Sequence, residues 1–486
     1  MLPDPPQVSK VPRHKTAIRR ATVSRPIRLA LEHELIRPDT TVADYGCGKG
    51  DDLRRLKRLG VSCHGWDPVH RPDGPRRPAA VVNLGYVLNV IEEPRERVEV
   101  LRSAWELAEQ LLIVSARITA DARDEDPGTP FRDGLLTRLG TFQKYYEHHE
   151  LRDWLEGVLD QQAVAAGPGI FYLFRNSETR QSFLASQYRR RGSTPSLRQS
   201  DRLFAEHREL FEALMEFLAW RGRPPDLFEF PEAKELVKAA GSIKRACTVV
   251  RRVTDNDEWL RIREERAQDL LVYLGLSRFD GRPRFGQLSR DLQLDVKAFF
   301  STYTRACTQA DDLLLSAGNL EAINAACRHS PVGKVTPSAI YVHKSALEEV
   351  PPILRIYEGC ARGYIGAVEG ANVIKLNRTE PQVSYLTYPE FERDPHPALA
   401  RSLSVALQTF RINVRDYQRS SNPPILHRKE EFVAMSHPQR PKFERLTQQE
   451  ERWGLYDDPA TIGTRRGWQQ ILARLGVMQN GHRLTR

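Results

Sequence analysis

Between residues 40 and 116, short apolar runs alternate with stretches in which apolar residues recur every three or four positions. Thr41, Val42 and Ala43 lead into Asp44, glycines follow at 46, 48 and 50, and Leu53, Leu56 and Leu59 then recur at helical spacing. That order predicts a strand, a tight glycine turn and a helix. Val61–Trp66 reads as a second strand ending at Asp67, and Ala79–Leu84 as a further one. A helix is expected over 92–109, with Pro94 in its first turn, before the buried strand Leu111–Val114. Only eleven residues, rich in Pro and Arg, lie between Asp67 and Ala79. They are too few for a helix, a strand and a second helix, so one strand is expected to be missing and this edge of the sheet open. A polar loop over 117–136 with turns at Asp126-Pro127 and Asp133-Gly134, an amphipathic helix over 141–158 and two strands within Ala163–Phe174 close a first domain near 176.

Beyond it the period changes. Residues 189–195 read as a basic linker, able to touch phosphates or merely solvated. From 199 to 330 the pattern is helical. Leu203, Phe204, Leu210, Phe211, Leu214 and Leu218 form one face, and further helices are expected at 232–252, 257–274, 290–315 and 319–328. Phe299 and Phe300 suit a core better than a base-stacking platform. From 331 to 486 the pattern mixes strands at 339–343, 372–376 and 383–388 with helices at 345–362 and 397–410. Asn422–Glu430 and 453–467 look irregular before a last helix. The expected architecture is therefore α/β: a basic arm or helix over 1–39, a Rossmann-like domain over 40–176, an all-helical region over 199–330 and a mixed α/β region over 331–486.

The glycine loop carries the chemistry. Its spacing is G-x-G-x-G with an acid two residues before the first glycine, not the G-x-G-x-x-G of dinucleotide sites. Asp44, Asp51 and Asp52 would meet a pyrophosphate at close range. They suit a ligand carrying positive charge, such as the ammonium and sulfonium of S-adenosylmethionine, and they count against a nicotinamide dehydrogenase. Asp67, one strand–helix–strand unit further on, is placed to accept bonds from ribose hydroxyls.

Charge adds a partner. The 486 residues carry a net +10, which favours an anionic partner, most simply nucleic acid, although excess charge also serves solubility. Residues 5–31 contain no Asp or Glu, so they form either a basic arm on a phosphate backbone, through Lys15, Arg19 and Arg20, or a helix packing Ile18, Ile27, Leu29 and Leu31. Six scattered cysteines without a C-x-x-C pair predict neither zinc nor disulfides and suit a reducing cytoplasm. His148-His149 lacks partners at metal spacing and is expected at the surface, so no metal is expected. No apolar run approaches the roughly 20 residues of a membrane span.

The first domain resembles class I S-adenosylmethionine-dependent methyltransferases through Val42–Gly50, Asp67 and Val82–Pro94. The resemblance implies that Asp44 takes the methionine amino end, with Gly46 and Gly48 on its backbone side and Tyr45, Cys47 and Gly50 completing the loop. It also implies Asp67 on the ribose and Leu84 and Gly85 near the adenosine. The acid that often reads the adenine amino group has no match. The chain as a whole resembles the DNA phosphorothioation-associated methyltransferases of bacterial defence islands. Lys15–Ile18, Asp44–Asp52, Asn83–Ile91, Thr141–Tyr145 and Asn422–Glu430 carry that likeness. It implies a nucleic-acid substrate, DNA before RNA, with phosphorothioation or restriction proteins as partners.

Asn83, Tyr86 and Asn89, after the strand facing the methyl group, are the candidates for orienting a substrate; Asn89 equally suits a helix start and Tyr86 the core. Asn422-Pro423-Pro424-Ile425 has Ile where a base-stacking box has an aromatic, and reads as a proline turn. His427, Arg428 and Lys429 beside it are candidates for phosphate contact. The rival functions are a non-catalytic S-adenosylmethionine-binding module that docks DNA or partner proteins, and an RNA methyltransferase.

Overall fold

The computed structural model describes residues 11–17, 19–20, 22–122, 128–190, 202–458 and 461–485. Ile18, the expected Asp126-Pro127 turn and Arg191–Pro195 of the expected linker lie outside the described residues. Contacts divide the chain into two units, Met1–Ser177 with Arg362–Glu369, and Glu178–Ala361 with Gly370–Arg486.

The first unit runs α1 (Arg25–Glu32), β1 (Thr41–Tyr45), α2 (Asp51–Arg58), β2 (Ser62–Trp66), β3 (Ala79–Gly85), α3 (Pro94–Leu107) and β4 (Ala108–Ser115). Then come β5 (Thr129–Phe131), β6 (Gly134–Leu136), β7 (Phe142–Gln143), α4 (His148–Leu159), β8 (Ala163–Gly167) and β9 (Ile170–Phe174). The main sheet has the order β2-β1-β3-β4-β9-β8. Its first four strands are parallel, and β9 is antiparallel to both β4 and β8. This is a Rossmann-like sheet. From β1 the chain winds outward to β2 and then back across to β3, so the crevice between β1 and β3 is the switch point where such sheets bind ligands. Among the described residues no strand lies outside β2, and residues 68–78 form turns and irregular chain instead, which is the missing strand and open edge expected above.

The strand sequences explain the layering. Six of the seven residues of β3 and all five of β9 are buried, as in strands covered on both faces. Leu53 and Leu56 turn α2 onto the sheet, while Asp51-Asp52 in its first turn and Arg55, Lys57 and Arg58 in its last match the helix dipole.

Three expectations change in this unit. The helix expected over 141–158 begins only at His148, because Phe142-Gln143 pairs with β6 as the third strand of a small antiparallel sheet. The same sheet fills the expected polar loop, with its first turn at Arg132-Asp133. His148 is not at the surface: it is 2% exposed, accepts from the Gly169 N–H at 3.1 Å and meets the Tyr364 carbonyl at 2.7 Å. Burial pushes its imidazole down to about 4, so it stays neutral.

Arg97 holds the small sheet in place. It is 4% exposed, donates to the Ile91 carbonyl at 2.7 Å and grips both oxygens of Asp133 at 2.5 and 2.7 Å. The Asp133 carboxyl is thereby drawn down to about 2, so its share of stability is present above its unfolded range and is lost as pH falls towards 2. Arg97→Met is expected to lower stability by about 2 kcal/mol, since Asp133 keeps partial access to water. Thermal melts at pH 7 check this, and the difference should narrow at pH 3.

The second unit begins with helices, continues with a sheet, and closes with helices Arg440–Arg452 and Arg465–Leu475 and a short hairpin, Met478–Asn480 with Arg483–Thr485. The helix expected over 232–252 is two, Ala233–Ala240 and Ile243–Val253, broken at Gly241, where φ is +82°, with Ser242 capping the second. Likewise 290–315 is broken at Ser301 into Arg290–Phe300 and Tyr303–Ser316. Six strands then form an antiparallel meander from Lys334–Val335 to Ile412–Asp416. The helix expected over 397–410 is a strand, Arg401–Ala406, in which Leu403 and Val405 alternate with more exposed neighbours. The period there is two, and the short run of apolar residues concealed it. The helix expected at 345–362 starts at Pro352 and runs to Ile365. Among the described residues no helix is long and apolar enough to cross a membrane.

Candidate functional site

The register of the parallel strands creates the central pair. Asp44 near the end of β1 lies opposite Asn83 on β3, and Asn83 Nδ2 donates to Asp44 Oδ1 at 2.8 Å. Asp44 is 5% exposed, and burial pushes its carboxyl up to about 7. Repulsion from Asp52 adds to the rise, while the Asn83 bond and Arg20 oppose it. Asn83 Oδ1 is buried and has no hydrogen-bond partner among the described residues. This corner is rich in acceptors and poor in water, with Asn83 Oδ1 still without a donor among the described residues.

The loop that follows is bare backbone. Gly46 has φ +81°, and a Cβ there would sit 2.4 Å from Val87 Cγ2. The Gly46 and Cys47 N–H groups both donate to the Trp66 carbonyl, at 2.8 and 3.0 Å. Gly48 N–H donates to Asp67 Oδ2 at 3.0 Å, and Gly50 N–H to the Cys47 carbonyl at 2.9 Å. Asp67 Oδ1 accepts from Val69 and His70 N–H, at 3.0 and 2.8 Å. Asp67 therefore laces β2's turn to the glycine loop, and of a carboxylate's roughly four lone-pair sites about one is left for a ribose hydroxyl.

The acids at the start of α2 are not at the ligand's disposal. Asp51 Oδ2 accepts from Arg20 N–H at 2.9 Å and also pairs with Arg54. Asp52 Oδ1 accepts from Ser24 N–H at 2.7 Å. Both stitch down the basic arm, which Arg13 anchors further along through Glu92 at 2.7 Å and Glu96 at 2.5 Å. Of the three carboxylates expected around a cation, Asp44 alone takes no bond from the arm or from α2 among the described residues, its Oδ1 accepting from Asn83 across the β1–β3 register. Lys15 and Arg19 are exposed, whereas Arg20 is half-buried with its guanidinium 5.7 Å from the Tyr86 ring centre.

The other expected site residues divide. Tyr86 has φ +59°, its N–H donates to the Ser115 carbonyl at 2.9 Å, and its half-buried ring reaches the arm. Asn89 is 2% exposed, its Nδ2 donates to Gln143 Oε1 on β7 at 3.4 Å, and its Oδ1 is buried without a hydrogen-bond partner among the described residues. Leu84 is fully buried in the sheet core. Gly85 does stand at the crevice, where a Cβ would meet the Asn83 amide at 2.9 Å. Tyr45 packs on Trp66 at 5.2 Å. Burial and the neighbouring acids push the Cys47 thiol up to about 12, which removes it as a nucleophile. Sequence reasoning missed Arg71, whose guanidinium would lie 2.8 Å from a Cβ on Gly50 and so covers the loop; the basic turn after Asp67 was its only trace.

The C-terminal trio is corrected by burial. Lys429 is 1% exposed, and its ammonium donates to the Phe391 and Asp394 carbonyls at 2.8 and 2.7 Å. Burial pushes it down to about 7. His427, 7% exposed, meets the Ile462 carbonyl at 2.7 Å. Arg428 pairs with Glu451 at 2.5 Å and covers the Tyr456 ring at 4.3 Å. His427 and Lys429 thus hold the interior together and are out of reach of a phosphate backbone. Asn422–Ile425 is a turn whose Asn422 Oδ1 accepts from Arg466 N–H at 2.9 Å. Among the described residues no group of three or more His, Cys, Asp or Glu is placed to hold a metal.

No family model and no curated protein matches this sequence. Among solved structures, an O-methyltransferase family protein from Burkholderia thailandensis is 17% identical, with a TM-score of 0.22 over 30% of this chain and 56% of that one. This chain thus spans just over half the length of that protein. A SAM-dependent methyltransferase from Aquifex aeolicus is 15% identical, with a TM-score of 0.24 over 33% of this chain and 95% of that one. The CcbJ methyltransferase from Streptomyces caelestis is 16% identical, with a TM-score of 0.25 over 34% of this chain and 94% of that one.

Proposed function

We propose that the first unit binds S-adenosylmethionine in the β1–β3 crevice and transfers its methyl group to nucleic acid, DNA before RNA, in a phosphorothioation-linked bacterial setting. One observation carries the choice of ligand. The loop N–H groups that would cradle a pyrophosphate already donate to Trp66, Asp67 and Cys47, while the buried Asp44 carboxylate feels Arg20 only at a distance and forms no ion pair among the described residues. An ammonium group at Asp44 forms that ion pair, and the free Asn83 Oδ1 is a second acceptor for the ammonium. The ligand would supply an electrophilic methyl group. Methyl transfer is an in-line displacement, so the protein's share is positioning and exclusion of water. Asn83 and Gly85 shape the wall beside the ligand, and Tyr86 with Arg20 narrows its mouth.

The nucleic-acid part rests on the net charge of +10, on exposed Lys15 and Arg19 beside the crevice, and on the resemblance of the whole chain. All six cysteines are free thiols, in keeping with a reducing compartment. The second reading, a module that binds the nucleoside without turnover, is favoured by Tyr86: burial raises its phenol, which keeps it protonated at neutral pH, so it offers no base there. The test uses methyl-labelled S-adenosylmethionine with duplex DNA, with and without phosphorothioate links, and with tRNA at the same salt. Label on DNA, in preference to tRNA, is the expected result. Binding without label on any of them selects the non-catalytic module and contradicts the proposal.

A further inference from the structure

The densest buried charge outside the glycine-loop unit lies among the helices of the second unit. Asp295, 5% exposed, is bound by Arg221 and Arg223, each at 2.6 Å, with Arg189 at 3.7 Å. Asp269, also 5% exposed, is bound by Arg355 at 2.6 Å, Arg266 at 2.8 Å and Arg190 at 3.0 Å. Two more acids join them, Asp291 on Arg221 and Glu229 on Arg223, both at 2.7 Å. Among the described residues six guanidinium groups therefore share four carboxylates. Unpaired charge withdrawn from water is costly, so the arrangement lacks anions, not further cations.

The loose donors converge on one place. Arg266 Nη2 and Arg221 Nε are buried without a hydrogen-bond partner among the described residues, although these side chains are only 2% and 6% exposed. Both residues line a cavity of about 20 Å³ together with Arg189, Trp220 and the two carboxylates that the guanidinium groups already hold, Asp269 and Asp295. Burial and the nearby Arg221 push the Arg189 guanidinium down to about 10, the direction a missing counter-ion produces. Trp220 is 49% exposed with its ring 5.0 Å from the Arg189 guanidinium, and so offers a flat apolar rim beside the donors.

We propose that this cavity is a phosphoryl site, in which one tetrahedral oxyanion accepts from Arg266, Arg221 and Arg189. A nucleoside stays outside it, where its base can stack on Trp220. The oxyanion comes either from free phosphate or from the terminal phosphate of a nucleic-acid strand. None of these residues belongs to the glycine-loop unit, so the site stands or falls independently of the methyl-transfer reading.

The test uses the whole chain. Its melting temperature is followed with sodium phosphate against sodium chloride at equal ionic strength, and its affinity is measured for a short single strand with and without a 5′-phosphate. Phosphate is expected to raise the melting temperature saturably, and the phosphorylated strand to bind roughly tenfold more tightly. Arg189→Gln should abolish both effects while leaving S-adenosylmethionine binding unchanged, which also shows that the variant is folded. Stabilisation by phosphate without preference between the strands assigns the site to the free ion. If phosphate gives no more stabilisation than chloride and the two strands bind alike, the proposal is overturned.

Discussion

Asp44→Asn is expected to stabilise the empty protein at pH 8 while abolishing its affinity for a cationic nucleoside. The carboxyl lies at about 7 in the folded chain against 3.8 for a free side chain. A raised carboxyl contributes stability that is fully present below its unfolded value and is lost as pH rises through the folded one. Keeping Asp44 ionised at pH 8 therefore costs up to roughly 4 kcal/mol, which a neutral amide of the same shape avoids. Melts of wild type and variant between pH 4 and 8 check the sign: the variant's advantage should grow up to about pH 7 and then level off. A variant that melts lower than wild type at pH 8 would mean that the carboxylate already has a cationic partner. The same raised value makes binding of an ammonium-bearing ligand to the wild type weaken up to about tenfold for each pH unit below 7, because the ligand must first displace a proton.

Gly46→Ala is expected to lower affinity for the same ligand by roughly tenfold or more. An L side chain at φ +81° costs about 1–2 kcal/mol, and its Cβ would drive Val87 out of place from 2.4 Å. Val87 follows Tyr86, so the displacement passes straight to the mouth of the crevice. Gly60→Ala separates the two effects, since Gly60 has φ +78° but nothing within 4 Å of where its Cβ would stand. It should lose stability by the same strain and leave affinity untouched. Equal affinities for Gly46→Ala and wild type would show that the ligand does not lie against this loop.

The strand, glycine turn and helix of residues 41–58 were legible because three local patterns agree there: apolar run, glycine spacing and helical period. Asp44 was legible for the same reason. Its partner Asn83 was not assigned to it, since their meeting depends on the register of two parallel strands 39 residues apart in sequence. Asp51 and Asp52 looked like ligand-facing charge because nothing local shows that Arg20 and Ser24 fold back onto them. Lys429 reads as a surface cation in sequence; two carbonyls brought from residues 391 and 394, with the Phe443 ring centre 4.0 Å from the ammonium, make its burial possible. The stretch 397–410 reads as helix in sequence because the strand within it, Arg401–Ala406, is too short to separate a period of two from one of 3.6.

Calorimetric titration of the purified chain with S-adenosylmethionine and S-adenosylhomocysteine, at pH 6 and pH 8 and beside a nicotinamide dinucleotide, decides whether Asp44 holds a cationic nucleoside. Both sulfur ligands should bind with one site per chain, more tightly at pH 8 than at pH 6, and the dinucleotide should give no heat. No heat from either sulfur ligand, or equal binding of the dinucleotide, would contradict it.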